Sequence, residues 1–494
     1  MCIKNFILTN FRVIDIVTLT LMYGKLKEVA NMKLALLVAN RGFFPSSVID
    51  SAREEMKTAA DKAGVEFLML DVNATRYGAV ETREEGEIYS KFLEEHHGEY
   101  DGLVICLPNF GDENGIKVAI QNVNVPILLQ AYPDEIGKLD FASRRDAFCG
   151  KLGLCAVLKQ MKTKYVLGDT HVTHPLSEEF HKDLCDFVAI CRIVKQMKHM
   201  RIGVLGARTT AFKSVRFDEG ALEARGADVE TLDLTQIFAL MDKIEDDDPR
   251  LKFWEQEIKK ISNITDTPSY AITNQCKLGV VLDELRRDMN LDVMAIRCWS
   301  ELQYKFKITP CTIMGIFNEQ KIPIVCETDV TNAPAMVALS MASGKPVGCL
   351  DINNNMGNEE DKCILFHCGP MPISLLSDCG HMEEHKMFTK TQGENCSWGV
   401  NVGRIKPGTI TVCGMRTENG EVRYFVEKAN VLDEKVDEGF FGTYGVVEIP
   451  ELQKKLKHMC EAGFRHHAII TEGDQTKRIR EALSKYLGYT EIIL

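Results

Sequence analysis

The sequence predicts an α/β protein: two parallel-sheet, Rossmann-like domains followed by a mostly antiparallel, barrel-like β domain. Three observations predict it. From Met32 onward, short apolar runs alternate with amphipathic stretches, as in strands covered on both faces by crossover helices. The alternation restarts at Met200 with MRIGVLGAR. Beyond Ser343 it gives way to short strands separated by glycine, asparagine and proline, which is the pattern of antiparallel sheet.

Taken in order, residues 1–31 are mildly apolar but carry Lys4, Arg12 and Asp15. They have no uninterrupted apolar core and no small-residue cleavage site, so they read as a non-native or flexible extension ahead of a start at Met32. The first domain, 32–195, opens on the strand LALLVAN. A helix follows, closed by Gly64, then strand VEFLMLDV, a helix over Glu85–His97, strand DGLVICLP, helix GIKVAIQNV and strand PILLQAYP. The second domain, 196–343, holds strand MRIGVLGAR, a helix–strand pair in GALEARGADVETLDL, an exposed acidic loop at 245–249, a long helix Leu278–Met289 and strand DVMAIRCW. The third domain, 344–494, contains strands KCILFHCG, GTITVCGMR, EVRYFVEKAN and GVVEIP, with a closing helix at Lys477–Lys485.

Composition narrows the class. Hydrophobic residues are 45% and charged residues 26% of 494, as in a soluble globular protein. A net charge of -12 argues against non-specific binding to nucleic acid or to an anionic membrane, and no run reaches the roughly 20 apolar residues of a membrane span. The seventeen cysteines are irregularly spaced, without a CxxC pair, and many lie inside apolar strands. They read as reduced thiols acting as small buried hydrophobes in a cytoplasmic protein.

The chemistry lies in IPIVCETDVTNAPAMVALSMASGKPVGCLDIN, residues 322–353. One apolar run stops at Glu327 and a second at Asp351, and a helix-like segment, Ala333–Ser343, joins them. Each carboxylate is expected at the C-terminal end of a strand, where open α/β sheets bind ligands. Two carboxylates brought together share a proton or a cation, and hard oxygen ligands favour manganese or magnesium. The alternative is that each only caps a helix or faces solvent. Histidine adds to the first reading: His367 follows the strand CILF, and His466 and His467 stand at the start of the strand in GFRHHAIIT. Carboxylates with imidazoles suit a hard-to-borderline ion. If GFRHHAIIT is extended throughout, the two adjacent rings face opposite ways and one alone reaches the metal.

Weaker candidates surround this set. GVLGAR lacks the spacing of a dinucleotide loop, and its Arg208 either binds an anion or lies on a solvated face. Arg297 and Trp299 end a strand near the same edge; the indole either stacks on the apolar face of a sugar or packs in the core. Asn109 opens the loop NFGDEN, where a ligand loop of the first domain belongs.

The segment from Cys326 through Glu327 and Asp329 to Asp351 resembles the metal-site region of the L-fucose isomerase and L-arabinose isomerase superfamily, and the likeness extends over nearly all of 32–494. The resemblance implies two α/β domains and a β-barrel-like third domain. It implies an aldose–ketose isomerase working through a cis-enediol, with Mn2+ (or Mg2+ or Co2+) held by Glu327, Asp351 and a late histidine. Glu327 and Asp351, 24 positions apart as in the fucose enzyme, become acid and base. Matching the segment that begins at His467 assigns His467 to the metal and leaves His466 on the other side, for substrate or packing. The arabinose branch adds His367. Trp398, in a third-domain loop that follows neither enzyme closely, joins the substrate contacts. The family further implies a homo-oligomer, trimer or hexamer, with a neighbour's first domain completing each active site, which nominates Arg41 and the Asn109–Asn114 loop. A metal-dependent sugar epimerase or lyase using the same enediolate, and a non-catalytic sugar-binding relative, are the alternatives.

Overall fold

The computed structural model describes residues 32–437 and 439–494; the expectation for 1–31 lies outside the described residues. The chain divides into two compact units, one ending at Arg192 and the other running Ile193–Leu494.

The first unit is a parallel sheet of β1 (Lys33–Val38), β2 (Glu66–Met69), β3 (Gly102–Leu107), β4 (Ile127–Ala131) and β5 (Val166–Leu167) in the order β2-β1-β3-β4-β5. Strands β3 and β4 are buried at every position, which is why their sequences are continuous apolar runs. The helix Arg83–Glu95 starts on a capping box, with the Thr82 hydroxyl accepting from the Glu85 amide and the Glu85 carboxylate accepting from the Thr82 amide. The helices Ala147–Gln160 and Glu178–Met197 were not legible as such in the sequence.

The second unit combines a parallel sheet with a barrel. The parallel sheet, ordered β10-β9-β6-β7, consists of β6 (Met200–Leu205), β7 (Ala227–Leu232), β9 (Val293–Ile296) and β10 (Ile324–Val325). Strand β8 (Ser262–Asn263) leaves it to pair elsewhere. The remaining strands are β11 (Gly348–Asn355), β12 (Lys362–His367), β13 (Gly380–Glu384), β14 (Trp398–Arg404), β15 (Gly408–Glu418), β16 (Glu421–Val431), β17 (Thr443–Glu448), β18 (His467–Glu472) and β19 (Thr490–Glu491). They form one large sheet in the order β19-β16-β15-β18-β11-β12-β17-β14-β13-β8. A further β16–β17 pairing closes six of these strands into an antiparallel barrel.

The helix Ala333–Ser343 packs against both layers, touching β9 and β10 on one side and β15 and β18 on the other. It is small and apolar all round and buried along almost its whole length, as a helix between two sheets must be. Proline occupies its first turn, and Gly344 at φ 66° ends it in a left-handed cap.

One expectation changes here. Asp351 does not end a parallel strand. It lies in the middle of β11, an antiparallel barrel strand that continues to Asn355. The apolar run stops because residues 351–355 of β11 are partly or fully exposed, and an antiparallel strand tolerates polar residues there.

Candidate metal centre

Two backbone layers meet at the centre. From the parallel sheet, β10 ends at Val325, and Glu327 (φ 60°) and Thr328 (φ 55°) both take left-handed conformations. Two such residues in succession outside glycine make a sharp, sterically costly turn. It lifts the Glu327 carboxylate off the sheet edge, and the Thr328 amide still reaches the Ile296 carbonyl at 3.0 Å. From the barrel, β18, β11 and β12 lie side by side; His467 is paired directly with Asp351, and Asp351 with Phe366, the residue before His367.

His467 is the hub. It is fully buried, with Nδ1 2.7 Å from Asp329 Oδ2 and Nε2 3.0 Å from Glu327 Oε2 and 3.6 Å from Asp351 Oδ1. Asp329, 0% exposed, is held by a bidentate Arg465 guanidinium (Nε to Oδ2 2.6 Å), by the Asn332 amide at 2.8 Å and by the Thr331 hydroxyl at 3.1 Å. A carboxylate that fixes one imidazole nitrogen so that the other faces a site is the usual support of a metal-binding histidine. Burial pushes the Asp329 carboxyl up, but Arg465 and His467 outweigh it and hold it well below the usual carboxylate range. Burial likewise opposes a charged His467, yet the bonds to Asp329 and Glu327 raise its pKa to about 10. Glu327 is lowered: burial raises it, and His467 and His367 override. Without a cation, then, an imidazolium bridges two carboxylates.

Two buried polar atoms at this point have no hydrogen-bond partner, Asp351 Oδ1 and His367 Nε2. Buried polar groups are nearly always paired, with protein, water or an ion, so two such atoms beside one imidazole fit the surroundings of a cation. Glu327, His367 and His467 each offer a ligand atom within 4.8 Å of the others, and so do Asp351, His466 and His467. Formal charge agrees: three carboxylates (Glu327, Asp329, Asp351) less the Arg465 guanidinium leave two negative charges once a cation has displaced the His467 Nε2 proton. That is the complement of a divalent cation. His367 Nδ1 accepts the Cys368 amide at 2.8 Å, which puts the neutral ring's proton on Nε2. For Nε2 to take a cation, that amide must release Nδ1.

The expected divergence of the two histidines is not what the structure shows. Strand β18 begins only at His467, so alternation does not govern His466. Its Nε2 lies 3.8 Å from Asp351 Oδ1 and its ring 4.6 Å from that of His467, with the side chain 39% exposed.

The other candidates separate. Trp299 joins the centre, donating Nε1–H to Glu327 Oε1 at 3.3 Å. Arg297 lies beside it with its guanidinium engaged by Glu301 and by the Ala207 and Trp299 carbonyls. Arg208 is folded onto the carbonyls of its own loop. Trp398 bonds Asn395 and lines a different cavity of about 360 Å³ with Glu383, Glu384 and Lys386. Arg41 and Asn109 belong to the first unit: Arg41 stacks over Phe110, and Asn109 is buried and bonded to Asn40 and Pro45.

Sequence reasoning missed Asp329 and Arg465 as members of the site, although each stands two residues from a residue it did choose. It also missed Cys368 and His385, whose Sγ and Nε2 meet at 3.0 Å, and the aromatic rings of Phe212 and Phe388 near Trp299.

Residues 35–198 match the family described as "Fucose/sulfoquinovose isomerase, N-terminal domain", and residues 365–493 match "L-fucose isomerase, C-terminal domain". The chain belongs to the fucose isomerase-like family. As a member of it, the protein is an aldose–ketose isomerase. Among its relatives is the sulfoquinovose isomerase of Alkalicoccus urumqiensis, 23% identical over 79% of this chain and 85% of the relative. That of Priestia aryabhattai is 22% identical over 62% of this chain and 68% of the relative. The C-terminal family match contains His367, His466 and His467, whereas Glu327 and Asp351 lie between the two matched regions.

Proposed function

We propose that Glu327, Asp351 and His467 hold a divalent cation, Mn2+ first, with His367 beside them. On this reading the protein interconverts an open-chain aldose and ketose through a cis-enediol. The observation that carries it is Asp351 Oδ1, a buried carboxylate oxygen without a hydrogen-bond partner, 3.6 Å from an imidazole nitrogen whose ring Asp329 fixes from behind. When bound, the cation supplies Lewis acidity to the sugar's carbonyl and adjacent hydroxyl oxygens. Asp329 and Arg465 keep the His467 proton on Nδ1 and the Nε2 lone pair free. One carboxylate of the Glu327–Asp351 pair takes the proton from C2 of the aldose and returns it to C1. The other moves the hydroxyl proton from O2 to O1. Nothing is oxidised or reduced overall, so no redox partner enters.

The relatives' named substrate, sulfoquinovose, and the family's fucose are the first sugars to try. The test strips the protein with EDTA, adds back Mn2+ or Zn2+, and follows aldoses and ketoses by proton NMR of their anomeric signals. Manganese should restore turnover better than zinc, which prefers more nitrogen and sulfur and four ligands. Full activity in protein shown metal-free by elemental analysis would overturn the reading.

The same proposal covers assembly and place. We take the working form to be a homo-oligomer, trimer or hexamer, in the cytoplasm. In support, the first unit exposes Phe43, Ile136, Leu139, Phe141, Phe148 and Leu152 in the loops after β1 and β4 and in the next helix. The cysteines among the described residues are all free thiols.

A further inference from the structure

The loop after β6, residues 206–215, carries an inference that rests on the isomerase reading and deepens it. Gly206, at φ 93°, starts it; a Cβ there would meet Leu234 Cγ at 2.7 Å and Arg297 Cβ at 3.0 Å. The chain then turns over a short internal frame, with the Phe212 amide on the Thr209 carbonyl at 3.0 Å. Arg208 Nη1 donates to the carbonyls of Thr209 (3.0 Å) and Phe212 (2.9 Å) and more weakly to Thr210 (3.5 Å). Arg297 ties the loop to the next strand end, donating to the carbonyls of Ala207 and Trp299, each at 3.3 Å. The outcome is a fixed place for one side chain. The half-buried Phe212 ring stands edge-on to Trp299, centroids 5.3 Å apart at 90°, and 5.9 Å from the His466 ring. Trp299 is in turn hydrogen-bonded to Glu327.

We propose that Phe212 and Trp299 form the wall that receives the C–H face of the sugar beside the acid–base pair, and that Arg208 is a positioning residue for Phe212. An aromatic pair offers a carbohydrate its apolar face, and Nη1 of Arg208, on two close carbonyls, holds the backbone that carries Phe212. Phe212 therefore sets which sugar faces are accepted, and Arg208 acts through it.

The experiment uses Phe212→Ala and Arg208→Gln in the full-length protein, with Trp398→Phe as background so that Trp299 dominates the fluorescence change; Trp254 is buried in the core. For the sugar that the NMR screen finds, both variants should raise KM about 10-fold while kcat stays within about 3-fold. Both should also shift Trp299 emission to the red and increase its quenching by acrylamide, with an unchanged thermal midpoint. Unchanged KM and emission in Phe212→Ala overturns the wall. Emission unmoved by Arg208→Gln, or a loss confined to kcat, overturns the positioning role. If the wild type turns over no sugar at all, the isomerase reading fails, while the fluorescence of the unliganded protein still decides the placement of Phe212.

Discussion

Replacing Asp329 by asparagine tests the frame behind His467. The aspartate serves Arg465 and His467 Nδ1 at once, along with the Asn332 side-chain amide and the Thr331 hydroxyl, from a fully buried position. Asparagine has one acceptor oxygen and one NH2 group, so it satisfies one partner and turns an N–H against the other. Breaking a buried ion pair from one side leaves the other charge uncompensated and costs about 3–5 kcal/mol. For the unit Ile193–Leu494 that corresponds to a fall of roughly 5–8 °C in the unfolding midpoint. His467 also loses the acceptor that keeps its proton on Nδ1, and loss of such a support weakens metal binding by about 10–100-fold. Calorimetry of the metal-free protein and isothermal titration with Mn2+ read the two effects separately. A double variant, Asp329→Asn with Arg465→Gln, should recover part of the stability, because the stranded charge is gone, without recovering the metal. A single Asp329→Asn variant that unfolds at the wild-type temperature and binds Mn2+ as tightly would refute the argument.

Glu327→Gln and Asp351→Asn should each lower turnover by about 10²–10⁴-fold with the fold retained by circular dichroism, and near-normal activity in either removes it from the acid–base pair. His467→Ala should purify with little metal and His466→Ala with its full complement; elemental analysis showing the reverse would exchange their roles. Burial, with help from His367, holds the buried His385 down to about 4 against an ordinary 6.5. Its folded pKa lies below its unfolded one, so stability is complete above about pH 6.5 and declines as pH falls towards 4. Urea midpoints across that window should fall less in His385→Phe than in the wild type, and parallel curves would contradict the assignment. Light scattering should give a trimer or hexamer, and a monomer active at nanomolar concentration would remove the neighbour's first domain from the proposed site.

The alternation of apolar runs and helices was legible because a strand buried on both faces has no choice but to be apolar. Gly64 and Gly344 marked helix ends because each sits at positive φ. Ser269–Asp288 was shortened because much of its surface is buried, and Ala147–Gln160 was missed because apolar residues such as Phe148 and Leu152 also stand on its exposed face; both blur the 3.6-residue period. At the site, carboxylates and histidines stood out by residue type. Asp329 and Arg465 did not, since a buried ion pair between segments 136 residues apart leaves no local pattern. The direction of His466 was misread because one residue decides whether strand alternation applies. Arg208 and Arg297 stood out by charge, and the backbone carbonyls each of them bonds left no mark in the sequence.

Asp351, His367 and His467 sit on three neighbouring strands of a closed barrel, while Glu327 comes from a two-residue turn outside it. The strand spacing of about 4.8 Å is set by backbone hydrogen bonds and does not stretch to suit a guest. Three of the four proposed donors therefore form a rigid rail, and the fourth stands on a separate turn. If a cation binds as proposed, its exchange, and tolerance for ions of different radius, would fall to the Glu327 turn. The 206–215 loop lies outside the rail, so on the proposed function it can reshape the sugar's surroundings while the barrel keeps Asp351, His367 and His467 in register.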